Sequence, residues 1–291
     1  MTASPTAIDE AALRSHIGTS LREEDVATAA PIAMLIATFD RPEPMPRSGD
    51  PIPPGWHIGY FLNMASQATL AADGLPRGSG VLPPMPLPRR MYAGCRITFH
   101  DAIRVGEPIV RETTLSDIQV RQGSTGALIF ATQTRRISTP RGLALTEDYQ
   151  GAFREEVKEG ARSGIPKREE VPQGLPWRRT HKADAVSLFR FSAITFNPHR
   201  IHYDKPYATG VEGYPGLVVH GPYSQHCLSD FIRDMNPGKR MATFDMRARA
   251  PLFEDHAFEL VGRPADGGKA AEVWALTPAG TVAMQATATF A

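Results

Sequence analysis

The chain has 291 residues, 42% hydrophobic and 22% charged, which is room for one large or two ordinary soluble domains with a sizeable core. Its net charge is +1 with both signs interspersed, which removes any electrostatic case for nucleic acid or an anionic membrane surface. No stretch approaches the roughly 18 uninterrupted apolar residues of a transmembrane helix, so membrane-spanning functions are excluded as well.

The opening segment, with Asp9 and Glu10, lacks a basic stretch followed by an apolar run, so no secretory signal is expected. Prolines at 42, 44, 46, 51, 53 and 54 forbid regular structure there, and a second Pro/Gly stretch runs from Gly74 to Pro88. Between them Trp56–Ala72 is proline-free and predicts a helix (Phe61, Met64, Ala65, Ala68, Ala72). Cys95–His100, Ile109–Val120 and Ala127–Ile137 read as strands, joined by turns at Val105–Pro108 and Arg121–Ser124 into an antiparallel meander. The charged, Gly- and Pro-broken stretch 156–176 reads as a linker, dividing a first domain, 1–155, from a second, 177–291.

The second unit repeats that order. A strand is predicted at about Ala185–Ala193, then a loop, then a helix from about Pro222 to Arg233. Pro222 suits the first helical turn, and Tyr223, Cys227, Leu228, Phe231 and Ile232 give one apolar face. Asn236-Pro237-Gly238 stops the helix. Strands follow at Ala242–Ala250, Ala257–Gly262, Ala271–Leu276 and Val282–Phe290. Each half therefore reads as a helix with an antiparallel sheet, an α+β class. The two distant cysteines, Cys95 and Cys227, read as thiols of a cytoplasmic protein.

Chemistry concentrates in Phe196-Asn197-Pro198-His199-Arg200-Ile201-His202-Tyr203-Asp204, followed about twenty residues on by His220-Gly221-Pro222. Adding water to an activated double bond needs a base, a proton donor and hydrogen-bond donors where negative charge develops. His202 is the candidate base, and Asn197, five positions earlier, the residue that holds the water. The N–H of Gly221 at a helix start is the candidate oxyanion donor. Bland readings stand beside these: Gly221 as a steric glycine, His220 as a residue that orders the loop, His199 as a loop hydrogen-bonder. No spaced His/Cys cluster completes a metal shell around His199, His202 and Asp204, so no metal is expected.

These residues resemble the hydratase motif of the MaoC-like, R-specific enoyl-thioester hydratases, which have a hot dog fold. In that motif an Asp and a His five residues apart share the water, and a later His-Gly pair opens the central helix. Aligned without gaps, His202 matches the family His and Asn197 stands at the Asp position. A register shifted to the usual Asn-Pro needs a two-residue insertion and puts Thr195 there instead. Either way the carboxylate is missing, and His202 would move both protons.

Longer stretches, Pro83–Gly94, Phe99-His100 with Arg104–Gly106, Phe191–Asp204 and Arg249–Phe253, are similar to a narrower group. These are the itaconyl-CoA and mesaconyl-CoA hydratases and the type 2 hydroxyacyl-thioester dehydratases. The resemblance implies a double hot dog whose first half has lost its site. It implies cofactor-free hydration of itaconyl-CoA or mesaconyl-CoA to citramalyl-CoA, with the acyl chain between the sheet and the Pro222–Arg233 helix. Dehydration of fatty 3-hydroxyacyl thioesters, thioester hydrolysis, and non-catalytic acyl-CoA binding are the rival readings. Arg200, Arg89 and Arg90 are candidates for a substrate carboxylate or CoA phosphates, with His220 and Tyr223 as further substrate contacts. Arg89 and Arg90 read equally as an interdomain clamp. Acyl-CoA is the expected partner, and self-association into a homo-oligomer stays open.

Overall fold

The computed structural model describes residues 8–78, 80–123, 126–155 and 171–291. Its first half runs α1 (Glu10–Arg14), β1 (Ser20–Val26), α2 (Ala29–Thr38), β2 (Arg89–Phe99), β3 (Pro108–Gly123), β4 (Gly126–Thr139) and β5 (Gly142–Arg154). Its second half runs β6 (Trp177–Lys182), α3 (Ala185–Thr195), α4 (Lys205–Gly210), α5 (Gly221–Met235), β7 (Met241–Ala248), β8 (Ala257–Ala265), β9 (Ala270–Leu276) and β10 (Val282–Phe290). This is a double hot dog. All ten strands form one antiparallel sheet in the order β1-β3-β4-β5-β2-β7-β10-β9-β8-β6. The halves fuse where β2 pairs with β7, Gly94 opposite Arg247 through Thr98 opposite Thr243. The expected linker falls mostly on 156–170, outside the described residues.

Alternation works as the sequence suggests in β7, where Phe244 and Met246 are buried and Arg247 is exposed. Helix α5 packs against β2, β7, β9 and β10. Its buried set extends without a break from Tyr223 to Ile232 and so includes Ser224, Gln225, His226, Ser229 and Asp230. The first half covers the face that the sequence reads as polar. The Tyr92 hydroxyl donates to Gln225 Oε1 (2.5 Å), Ser229 Oγ donates to Pro54 O (3.1 Å), and Trp56 Nε1 donates to Asp230 Oδ1 (2.8 Å). Three buried polar groups of the helix, on Gln225, Ser229 and Asp230, therefore take a partner from across the molecule.

Two sequence expectations are corrected. Trp56–Ala72 forms no helix, only 3-10 turns at Trp56–Gly59 and Gln67–Thr69. Gly55 holds a left-handed φ of 87° at the start, and Trp56, His57, Tyr60 and Phe61 are spent on tertiary contacts. Ala185–Ala193 is helix α3, not a strand. Asp184 and Ser187 make a reciprocal capping box, and buried Leu188, Phe191 and Ile194 recur at a spacing of three, which is a helix face. The strand of that region lies earlier, at β6. The sequence reading also passes over β1, α2 and β5.

Candidate active site

Helix α3 delivers the site. It ends at Phe196 in the left-handed conformation (φ 47°), and Asn197 N–H turns back to Ser192 O (2.8 Å). Asn197 Oδ1 then accepts the backbone N–H of His199 (3.1 Å), a local turn that leads into the 3-10 turn Arg200–His202. Asp204 caps α4 by accepting Tyr207 N–H (3.1 Å) and binds Arg200 through Nε and Nη2 (3.0 and 2.8 Å). Arg200 Nη1 donates to Ala72 O (2.9 Å) and its N–H to Asp73 O (2.8 Å), tying the loop to the first half.

His202 is buried, and its Nδ1 lies 2.7 Å from Val218 O. A carbonyl only accepts, so Nδ1 carries the proton and Nε2 is left with its lone pair. The ring stacks on that of His220, centroids 3.6 Å apart and planes 20° apart, and meets His199 edge-on at 5.4 Å. Burial, then the neighbouring His199, pushes the His202 pKa down to about 3 against the raising effect of Val218 O. The ring is thus a neutral imidazole over the physiological range.

His220 is fully buried. Its Nε2 is 2.8 Å from Ser192 Oγ, and its Nδ1 has no hydrogen-bond partner among the described residues. It is the N-cap of α5, so the ring beneath His202 is rooted at the same helix start that presents Gly221. A Cβ on Gly221 would collide with Tyr92 Cδ1 and lie 2.8 Å from that ring's Cβ and Cγ. The steric reading of Gly221 therefore stands on geometry. The helix-start N–H stands beside it, because the first turn of a helix has no internal acceptors for its N–H groups.

Arg200 and Tyr223, expected as substrate contacts, are engaged elsewhere. Arg200 braces the loop, stacked on Tyr207 at 4.0 Å, and the Tyr223 hydroxyl is 2.9 Å from His181 Nε2, its ring packed against Phe39 and Phe191. Arg89 is an interdomain clamp, buried and bonded through Nε to Glu212 Oε2 (2.9 Å), with its Nη1 lacking a hydrogen-bond partner. Arg90 lies closer to the chemistry. It depresses the pKa of His199 to about 4, second to burial and ahead of Arg89, and it lines a cavity of about 510 Å3 over the first half's sheet. That cavity is not where the sequence reading put the acyl chain, beneath α5.

Sequence reasoning missed Tyr92, Ser192, Gln225 and Val218. Tyr92 and Ser192 stand inside the quoted motif stretches, but only the tertiary packing gives them a partner. Among the described residues no three His, Cys, Asp or Glu converge to hold a metal ion.

The family model described as hydroxyacyl-thioester dehydratase type 2 matches residues 55–254, more than half of the chain and all of the site. The chain belongs to that family. It is 40% identical over 270 residues to the mesaconyl-C(4)-CoA hydratase of Chloroflexus aurantiacus, covering 91% of this chain and 92% of that one. As a type 2 dehydratase-family member it is a hydro-lyase. A MaoC-like dehydratase from Phytophthora capsici has a similar fold, with a TM-score of 0.66 at 12% identity over 98% of this chain and 99% of that one. A Mycobacterium tuberculosis protein described as having a double hotdog fold gives a TM-score of 0.54 at 12% identity, over 94% and 96% of the two chains.

Proposed function

We propose that the protein hydrates a short branched dicarboxylyl-CoA thioester, mesaconyl-CoA or itaconyl-CoA, to citramalyl-CoA. The observation that carries this is the His202 tautomer, fixed by Val218 O with Nε2 unprotonated beside the α5 start. With mesaconyl-C4-CoA, whose double bond is conjugated with the thioester, His202 Nε2 takes a proton from water, and the hydroxide adds to the β-carbon. The displaced electron pair moves to the thioester oxygen, where Gly221 N–H and the helix dipole stabilise it. The imidazolium then returns its proton to the α-carbon, so one ring serves as base and acid. A weakly basic imidazole suits this role because its positive charge appears together with the negative charge on the enolate oxygen.

Asn197 orients the water by its amide. A neutral residue there leaves no carboxylate to compete for the proton, which is consistent with His202 acting alone. Substrate choice is supported by the 40% identity to a mesaconyl-C(4)-CoA hydratase and by Arg90 beside His199. No cofactor enters the scheme. The first half, with only 3-10 turns where the second half has α5, is assigned a supporting and not a catalytic role. A cytoplasmic location fits the two buried free thiols, Cys95 and Cys227.

The family also favours the reverse reaction, dehydration of a fatty 3-hydroxyacyl thioester. Purified protein given mesaconyl-C4-CoA should consume the conjugated absorbance and form a hydroxyacyl-CoA, and His202→Ala should lose about 100- to 10,000-fold in kcat. Saturable turnover of straight-chain thioesters with none of the dicarboxylyl substrate would move the assignment to the dehydratase. Release of free thiol, or full activity in His202→Ala, would reject both.

A further inference from the structure

The cavity over the first half is larger than the proposed substrate needs, and its lining mixes apolar side chains with charged ones. At about 510 Å3 it lies within the range that holds drug-sized ligands, whereas a four-carbon acyl group fills only a corner of it. It exists because the first half lacks a long central helix: loop segments around Phe61 and Val81 cover the sheet face that in the second half is filled by α5. Three guanidinium groups, Arg90, Arg111 and Arg135, line it against one lining carboxylate, Glu23.

Glu23 is occupied by Arg111 (2.7 Å), and Arg135 leans on Glu147 (3.1 Å), which lies behind the lining. The balance among the lining residues stays positive. Thr113 also lines the cavity, and its buried hydroxyl has no hydrogen-bond partner among the described residues. Buried hydroxyls are normally paired, so the Thr113 hydroxyl is a donor that a group entering this arginine-lined cavity can use.

The cavity adjoins the catalytic loop. Arg90 of β2 lines the cavity and its charge acts on His199 of the loop. Tyr149 lines it too, and its ring packs 5.2 Å from Tyr92, the residue laid over Gly221. In a mesaconyl thioester the carboxylate is bonded to the carbon that receives water, so it cannot extend away from the reacting centre. Such a substrate leaves cavity residues such as Arg111, Arg135 and Thr113 without a role.

We propose that this cavity binds the terminal carboxylate of a longer acyl group, and that the enzyme therefore also hydrates ω-carboxy-2-enoyl thioesters. Arg111 and Arg135 receive the carboxylate and the Thr113 hydroxyl donates to it. The reaction is the one already described: hydroxide from water to the β-carbon and its proton to the α-carbon, with no other reactant. The chemistry rests on the hydratase reading above, whereas the subsite does not.

Hydration of 2-hexenedioyl-CoA and of its methyl-ended counterpart 2-hexenoyl-CoA tests this directly. The carboxylate-ended substrate should have a kcat/KM at least about tenfold higher, as a hydrogen bond to a charged group implies. Thr113→Val, which keeps the shape and removes a hydroxyl that bonds nothing, should erase about tenfold of that preference and leave 2-hexenoyl-CoA and mesaconyl-C4-CoA unchanged. Arg111→Gln should act in the same direction. Equal or reversed preference in the wild type, or a Thr113→Val loss common to all three substrates, overturns the proposal. If no thioester is hydrated, the hydratase reading fails, and calorimetric titration with the unreactive adipyl-CoA and hexanoyl-CoA reads the subsite alone. A preference for adipyl-CoA that Thr113→Val removes sustains the site; no preference overturns it.

Discussion

At the scale of single residues, the site is a set of hydrogen bonds that fixes two stacked imidazoles. Val218 O holds Nδ1 of His202, Ser192 Oγ holds Nε2 of His220, and the remaining lone pair of His202 is the one that can take a proton. Gly221 shows how one residue answers two demands. The ring of Tyr92 occupies the space a side chain would need, so Gly221→Ala has to push β2 and α5 apart. Overpacking of that kind costs about 1–3 kcal/mol. Chemical denaturation of Gly221→Ala should show a loss in that range, and an unchanged midpoint would mean that Tyr92 does not lie against the helix start.

At the scale of elements, the catalytic loop is held from outside itself. Helix α3 aims it, and the segment 71–74 of the first half clamps it through Arg200 and the Asp73 carbonyl. Gly74 sits in that clamp with φ +90°, and a Cβ there would collide with Pro198 O. Gly74→Ala should therefore displace the 197–202 loop. A small misplacement of a catalytic group is expensive, so kcat should fall by more than tenfold while the far-UV circular dichroism stays as in the wild type. Retained kcat would show that the first half does not position the loop.

At the scale of the whole molecule, the halves are joined by more than the β2–β7 pairing. Arg41 of the first half, its side chain 8% exposed, binds Asp234 (2.7 Å) and Glu43 (2.9 Å) and lies 3.5 Å from Asp230. Asp230 also accepts from Trp56 Nε1 and, at 2.6 Å, from Arg233 Nη1. His226 Nε2 lies 3.3 Å from Asp230 Oδ2 without the alignment of a hydrogen bond. This buried ionic cluster seals the end of α5 against the first half, where an apolar contact would have carried no orientation.

Burial on this scale also sets the response to acid. Burial first, then the neighbouring arginines, holds the pKa of His181 and His199 at about 4; burial first, then His199, holds that of His202 at about 3, and burial lowers His220 and His226 as well. In the unfolded chain these rings titrate near 6.5. Between pH 6.5 and about 4 the unfolded state therefore binds protons that the folded state refuses. Stability is complete above pH 6.5 and declines as pH falls through that window, by about 1.4 kcal/mol per pH unit for each such ring. Denaturation followed from pH 7.5 to 4.5 should show a falling midpoint with uptake of several protons. A flat profile would mean that the histidines are solvated.

Much of the second half could be read from the residues, because its signals are local. Pro222 and Asn236-Pro237-Gly238 bracket α5, and β10 matches its predicted span. The loop and the His-Gly pair announced themselves by residue type and spacing. Helix α3 was misread because two exposed apolar residues, Val186 (64%) and Phe189 (63%), blurred its face, although the Asp184–Ser187 capping signal was present. Trp56–Ala72 has helical periodicity, yet its buried aromatics Trp56, Tyr60 and Phe61 are spent on tertiary contacts such as Trp56 to Asp230 of α5, and Met64 is 77% exposed.

The sequence by itself determined the class of fold and singled out His202 as the candidate base, since both depend on patterns within a few turns of chain. Tertiary structure alone decided which imidazole nitrogen is basic, that Arg200 braces and Arg89 clamps, and that a charged cavity lies where the first half lacks a helix. Those outcomes depend on partners that no local pattern names, Val218 for His202, Ala72 for Arg200 and Glu212 for Arg89, and on burial that no local pattern encodes.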